Sequence, residues 1–180
     1  MRILITGVAG TGKSTIISEI AKTGRKTIDL DHGGICQWVN KKTGKITSYA
    51  AGAEERWIAE HRWECVIPKL VVVLNKIGKD DDVFVGGKIT SRQIPEMAKI
   101  FDTIYLLKPS NSTVDSRLKN RISNKDNFAK SQKERGHIVA NRKSFEDVCI
   151  KAGAIVLDNN SSPQEVVDQI LKFNTKNFSA

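Results

Sequence analysis

Gly7-Val8-Ala9-Gly10-Thr11-Gly12-Lys13-Ser14 fills every fixed position of the pattern G-x-x-x-x-G-K-[ST], and the chain is read outward from it. Glycines let the backbone fold tightly and turn its N–H groups toward phosphate oxygens. Lys13 supplies a point charge for the β- and γ-phosphates, and the Ser14 hydroxyl is a ligand for Mg²⁺. The stretch before it, Arg2-Ile3-Leu4-Ile5-Thr6, is a short apolar run rich in strand formers. Ile16, Ile17, Ile20 and Ala21 after it share one helical face. The motif therefore sits between a strand and a helix, whose N-terminal dipole adds to the same spot. Gly7, Val8, Ala9, Gly10, Thr11, Gly12, Lys13, Ser14 and Thr15 are expected to bind a nucleotide.

The 180 residues suit one domain, spanning 1–180, with a sizeable core. Lysine and arginine number 29 against 20 acids, a formal charge of +9 that favours anionic partners: nucleotides, phosphorylated metabolites or nucleic acid. Cys36, Cys65 and Cys149 are an odd, widely spaced set without a C-x-x-C pair, which argues against a disulfide framework or zinc site and for a reducing compartment, the cytoplasm. No leader and no membrane span is expected, since the first residues already form the strand and no run of ~18 apolar residues occurs.

Thr27-Ile28-Asp29-Leu30-Asp31 reads as a second strand ending in acids at the carboxyl edge of the sheet, where ligands bind in open α/β folds. A spacing of two puts Asp29 and Asp31 on one side of that strand, placed for magnesium or a substrate hydroxyl; the alternative is a pair of turn aspartates. Ile35 to Asn40 suggests a short helix, and Ala53 to about Asn75 a long one bent at Pro68. Within it Arg56 and Arg62, beside tryptophans, are placed to clamp an anionic or planar substrate or else to form a solvated face with stems packed on Trp. Val83-Phe84-Val85-Gly86-Gly87 reads as a third strand, whose two glycines either let backbone N–H groups approach a substrate or form a plain turn. Asp102 to Leu107 is a fourth strand, leading into a helix with Ser112 as N-cap and with Arg117 and Arg121 on one face. The polar stretch 122–136, with few apolar anchors, reads as a lid. A helix from about Glu134 to Ala152 carries Arg142. Ala154 to Asp158 is a fifth strand, and the last helix opens on Ser162, Pro163 and Glu165, a capping box.

This pattern resembles the P-loop small-molecule kinases, the group of adenylate, shikimate and gluconate kinases, over nearly the whole chain. The resemblance implies an α/β three-layer fold: a five-stranded parallel sheet of order 2-3-1-4-5, helices on both faces, and a lid. Asp29-Leu30-Asp31 is similar to the D-x-D of shikimate and gluconate kinases, which would put Asp29 near magnesium and Asp31 at the acceptor hydroxyl. Arg117-Leu118-Lys119-Asn120-Arg121 resembles the R-x-x-x-R of adenylate kinases, which would make Arg117 the residue stacking on adenine and Arg121 the catalytic arginine on the transferred phosphoryl group. Arg142 resembles a substrate arginine after the lid of shikimate kinases, and Asp158 to Ser162, with Asn159 and Ser161, resembles their adenine-bordering loop. The triplet of glycines in shikimate kinases is only Gly86-Gly87-Lys88 here, and the R-P-L-L and D-G-x-P-R signatures are absent, so neither shikimate nor a nucleoside monophosphate is singled out. The implied activity is transfer of the γ-phosphoryl group of ATP, with Mg²⁺, to a small hydroxyl- or phosphate-bearing acceptor. Two other readings stand beside it: a nucleotide-dependent nucleic-acid-binding protein or polynucleotide-end kinase, motivated by the +9 charge but lacking any recognition motif, and an NTP-binding switch without acceptor.

Overall fold

Ile3 and Ile5 turn to one side of their strand and Leu4 to the other, and all three are fully buried. That double burial belongs to a strand in the middle of a parallel sheet covered on both faces. The computed structural model describes residues 1–48, 55–78, 81–120 and 132–176. Its main sheet contains β1 (Arg2–Thr6), β2 (Lys26–Asp29), β6 (Val83–Gly86), β7 (Thr103–Leu107) and β8 (Ile155–Leu157), all parallel, in the order β2-β6-β1-β7-β8. This is the order 2-3-1-4-5 implied by the resemblance, once only the strands of this sheet are numbered.

Helix α1 (Lys13–Lys22) and the last helix, α7 (Pro163–Lys176), cover one face. There Ile16, Ile17, Ile20, Val166, Val167 and Ile170 pack on Ile3, Ile5, Phe84 and Tyr105. Helices α3 (Ile67–Asn75), α4 (Ile94–Ile100) and α6 (Gln132–Lys151) cover the other, bringing Leu70, Leu74, Met97 and Phe145 onto Leu4, Val85, Ile104 and Leu106. The capping box opens α7 as expected, with Glu165 N–H donating to Ser162 Oγ at 3.3 Å and Ser162 N–H to Glu165 Oε2 at 3.1 Å. Helix α5 (Asn111–Lys119) is capped two residues earlier than the sequence suggests: Thr113 N–H donates to Ser110 Oγ at 3.1 Å, and Ser112 lies inside the first turn.

The larger departure lies between β2 and β6. The expected helix at Ile35–Asn40 is strand β3 (Cys36–Asn40), and the expected long helix is broken into α2 (Glu55–Glu60), strand β5 (His61–Cys65) and α3. With β4 (Ile46–Thr47) these strands form a second, antiparallel sheet of order β4-β3-β5. Cross-strand pairing explains the departure. Cys36 faces Cys65, Trp38 faces Trp63 and Asn40 faces His61, and aromatic pairs on one face of a sheet outweigh a helical spacing of apolar residues.

Candidate active site

The loop between β1 and α1 closes on the carbonyl oxygen of Val8. It accepts from the Thr11 hydroxyl at 2.9 Å and from Lys13 Nζ at 2.9 Å, with Thr11 N–H at 3.4 Å. Gly10 (φ 83°) and Gly12 (φ 90°) hold left-handed conformations that side chains rarely adopt. Space also demands glycine here: a Cβ on Gly10 would lie 2.8 Å from Leu118 Cγ of α5, and one on Gly12 would lie 2.9 Å from Asn159 Nδ2. Gly12 occupies the cap position of α1 without a side chain, which leaves the first N–H groups of that helix open to an anion. Ser14 and Thr15 are exposed on its first turn.

Arg117 and Asn159 meet at this loop. Asn159 Nδ2 donates to the Thr11 carbonyl at 2.5 Å, and Arg117 Nη1 reaches the same carbonyl at 3.5 Å while its Nη2 donates to the Asn159 carbonyl at 3.0 Å. Asn159 is 2% exposed. Partial burial lowers the pKa of Arg117 from its ordinary value without threatening its charge. Ser161, two residues on, is exposed. The sequence-predicted nucleotide residues from the loop, from α5 and from the segment before α7 thus come together.

At the far side of β1, Asp29 ends β2 and pairs in register with Gly86. Asp31 is not in the strand. The chain turns at Asp29, whose Oδ1 accepts the Asp31 N–H at 2.9 Å and whose Oδ2 lies 3.1 Å from His32 Nδ1. This is the turn reading of the two acids, so the shared strand face expected from their spacing does not exist. Asp31 Oδ1 accepts instead from the indole N–H of Trp63 at 3.0 Å and from Lys88 N–H at 3.5 Å. Burial pushes the Lys88 ammonium below its ordinary range, while the negative charge of Asp31 opposes that shift. Thr6 Oγ1, just before the phosphate loop, donates to the Gly87 carbonyl at 3.4 Å, which ties this edge to the loop.

Gly86 and Gly87 serve close packing. A Cβ on Gly86 would lie 2.2 Å from Ile17 Cγ1, and one on Gly87 would lie 2.5 Å from Leu30 Cβ. Their carboxyl-edge location is as expected, but packing alone accounts for the glycines, against α1 at Gly86 and against the segment after β2 at Gly87. Arg142 is 5% exposed and bonded to Glu146, to Asn111 Oδ1 at 3.0 Å and to the Pro109 carbonyl. Its guanidinium is committed to tying α6 to the start of α5, away from the role of a substrate ligand expected for it. Arg62 pairs with Glu64, which Arg92 also contacts, so both positive charges meet one nearly buried carboxylate. Arg121, the side chain of Arg56 and residues 122–131 of the expected lid lie outside the described residues; 132–136 form the first turn of α6.

Trp63 and Lys88 were not singled out as neighbours of Asp31 by the sequence. Helical spacing places Trp63 on a helix, and only the strand pairing of β5 with β3 turns it toward the acid. Lys88 carried one signal, its position directly after the double glycine.

No family model and no curated protein sequence matches the chain. Solved structures do. Over 99% of this chain and 95% of the other, it is similar to shikimate kinase from Acinetobacter baumannii in complex with shikimate, at 19% identity and a TM-score of 0.63. It is similar to deoxyadenosine kinase from M. mycoides with bound dATP at 14% identity and a TM-score of 0.56, over 97% of this chain and all of that one. A sugar kinase from Janibacter sp. matches at 13% identity and a TM-score of 0.56, over 95% and 92%. The chain has the fold of the P-loop kinases.

Proposed function

We propose that the protein is a Mg²⁺-dependent kinase that transfers the γ-phosphoryl group of ATP to a small-molecule hydroxyl or phosphate acceptor. The observation that supports this reading is a glycine-cornered loop at the head of α1, with Lys13 and Ser14 on it, at the same sheet edge as Asp31, which accepts from Lys88 N–H directly after the Gly87 that Thr6 contacts. Phosphoryl transfer asks little covalent chemistry of a protein; alignment and neutralisation of charge carry most of the rate.

Each residue has a role in this reading. Lys13 leaves the Val8 carbonyl and neutralises the phosphates, while backbone N–H groups from Gly10 to Ser14 bind their oxygens. Arg117 and Asn159 border the base from α5 and from the segment before α7. Asp31 orients the acceptor hydroxyl and takes its proton as the new P–O bond forms. Among the described residues no three His, Cys, Asp or Glu side chains gather as a metal group. In this reading the exposed Ser14 hydroxyl, with Asp29 released from the His32 ring, would hold a magnesium ion whose other ligands would come from phosphate and water. When bound, the ion neutralises charge on the transferring group. Arg121 belongs to the same proposal as a second cation on that group, and residues 122–136 as the segment that covers it.

The test incubates the protein with γ-labelled ATP, Mg²⁺ and pooled small metabolites, and looks for a labelled product. Label transferred to a small molecule supports the reading. ATP that binds at the loop without any transfer or hydrolysis would refute it in favour of a nucleotide-binding switch. On the described residues, no helix is long and apolar enough to cross a membrane.

A further inference from the structure

We propose that Trp63 is a positioning residue for Asp31, holding the carboxylate so that one oxygen is fixed and the other faces the acceptor. This rests on the reading of Asp31 as the group that addresses the acceptor hydroxyl. Asp31 lies in a turn, one residue beyond the last sheet bond of this segment, Leu30 N–H to the Gly86 carbonyl at 2.8 Å. The sheet does not set its direction. Two donors do, and both act on the same oxygen: the Trp63 indole N–H at 3.0 Å and the Lys88 backbone N–H at 3.5 Å. Among the described residues no hydrogen bond reaches Oδ2.

The indole is itself held by a chain of contacts through the antiparallel sheet. Trp63 stands edge-on to Trp38, ring centres 5.6 Å apart and planes at 64°, and Trp38 stands edge-on to Trp57 at 5.2 Å. Trp57 stacks on His61 at 4.0 Å. His61 Nδ1–H donates to the Trp57 carbonyl at 2.7 Å, and Asn40 Nδ2 donates to His61 Nε2 at 3.2 Å. A ring gripped this way has few rotamers, so its N–H points in one direction. The chemistry of the donor matters as well. A neutral indole N–H orients a carboxylate by direction and adds no further charge to an acid that already has the Lys88 ammonium nearby. Strand β5, which interrupts the expected long helix, thus has a use: it delivers a rigid donor to the acid.

The test is a cycle of Trp63→Phe, Asp31→Asn and the double variant. ATP hydrolysis with Mg²⁺ is measured, water standing in for the acceptor. Trp63→Phe is expected to lower kcat about tenfold, the lower end for a hydrogen bond to a charged group, with KM for ATP unchanged. In the Asp31→Asn background the same substitution should cost nothing further, because a residue acting through Asp31 has no other route. Losses that multiply, or wild-type turnover in Trp63→Phe, would overturn the proposal. Loss of packing alone would lower both backgrounds equally. A second measurement is independent of turnover: the indole Nε1–H resonance of Trp63, identified by its disappearance in Trp63→Phe, should move upfield in Asp31→Asn, and an unmoved resonance overturns the proposal. Hydrolysis that survives substitution of Lys13 would sink the kinase reading, and the indole resonance would then decide this one.

Discussion

Substituting alanine for Gly86 separates a packing role from a substrate-contact role. The new Cβ would sit 2.2 Å from Ile17 Cγ1 and 3.0 Å from Ile17 Cδ1. Carbon atoms in contact keep ~3.5 Å, so the closer pair is about 1.3 Å too near. Ile17 cannot easily step aside: it is β-branched, sits in mid-helix where its χ1 is nearly fixed, and is 5% exposed within the core cluster of α1 and α7. Either α1 lifts from β6 or Ile17 leaves its rotamer. Overpacking of this kind costs ~1–3 kcal/mol, and a backbone-mounted overlap this deep belongs at the upper end, about 3 kcal/mol. At roughly 2–4 °C per kcal/mol for a chain of this size, the midpoint of thermal unfolding should fall by about 6–12 °C. Because α1 begins with Lys13 and Ser14, KM for ATP should rise as well. Circular dichroism during urea and thermal unfolding measures the first effect. Ile17→Ala supplies the control: alone it leaves a cavity costing ~2–5 kcal/mol, but combined with Gly86→Ala the added methyl refills part of that space. The double variant should then lose at least ~1 kcal/mol less than the sum. A Gly86→Ala protein as stable as wild type, or strict additivity with Ile17→Ala, would refute the packing argument and return Gly86 to the acceptor.

Two further outcomes follow from the described contacts. Asn159→Ala removes the 2.5 Å hydrogen bond to the Thr11 carbonyl from a site almost without solvent, so it should cost about 1–3 kcal/mol of stability and raise KM for ATP more than it lowers kcat, as steady-state kinetics and urea titration would register. Burial pushes the Cys149 thiol up to about 12 from 9.0, so above pH 9 the unfolded chain ionises there before the folded one does. The stabilisation is fully present below pH 9 and is lost as pH rises toward 12. The stability advantage of wild type over Cys149→Ala should therefore shrink by about 1.4 kcal/mol per pH unit across that window, and a constant difference would contradict the assignment.

The parallel sheet was legible in the sequence because most of its strands are apolar runs with a turn signal at one end, while β2, Lys26–Asp29, has one apolar residue and shows by its closing acid. Ile3 to Ile5 precede a glycine loop, Val83 to Val85 precede two glycines, and the last helix announces itself through Ser162, Pro163 and Glu165. The glycine loop at the head of α1 was legible for a related reason, since its motif is local and its strand and helix flank it directly. What failed to show was the antiparallel sheet. Trp57, Ile58, Trp63, Val66 and Ile67 have helical spacing, and nothing within His61–Cys65 reveals that Cys36, Trp38 and Asn40 will face it. Strand pairing is a long-range property, and it decides where Trp63 points. Asp31 was misplaced by the same limit on a smaller scale. A two-residue spacing implies one strand face, but an Asx turn closed by Asp29 ends the strand first. Arg142 was read from its position after the expected lid, whereas Glu146, one helical turn on, and the Asn111 side chain and Pro109 carbonyl of another segment engage its guanidinium.

The central claim is that Lys13 neutralises the phosphates of ATP during transfer, and the most direct measurement compares γ-phosphoryl transfer by wild type and by Lys13→Met, which keeps an unbranched stem of similar length. At 7% exposed, with its ammonium on the Val8 carbonyl, Lys13 is turned into the loop. The account predicts that Lys13→Met unfolds at nearly the wild-type urea concentration yet loses at least ~10²-fold in turnover, the scale for removing a preorganised electrostatic stabiliser. Wild-type transfer by the folded variant would contradict it.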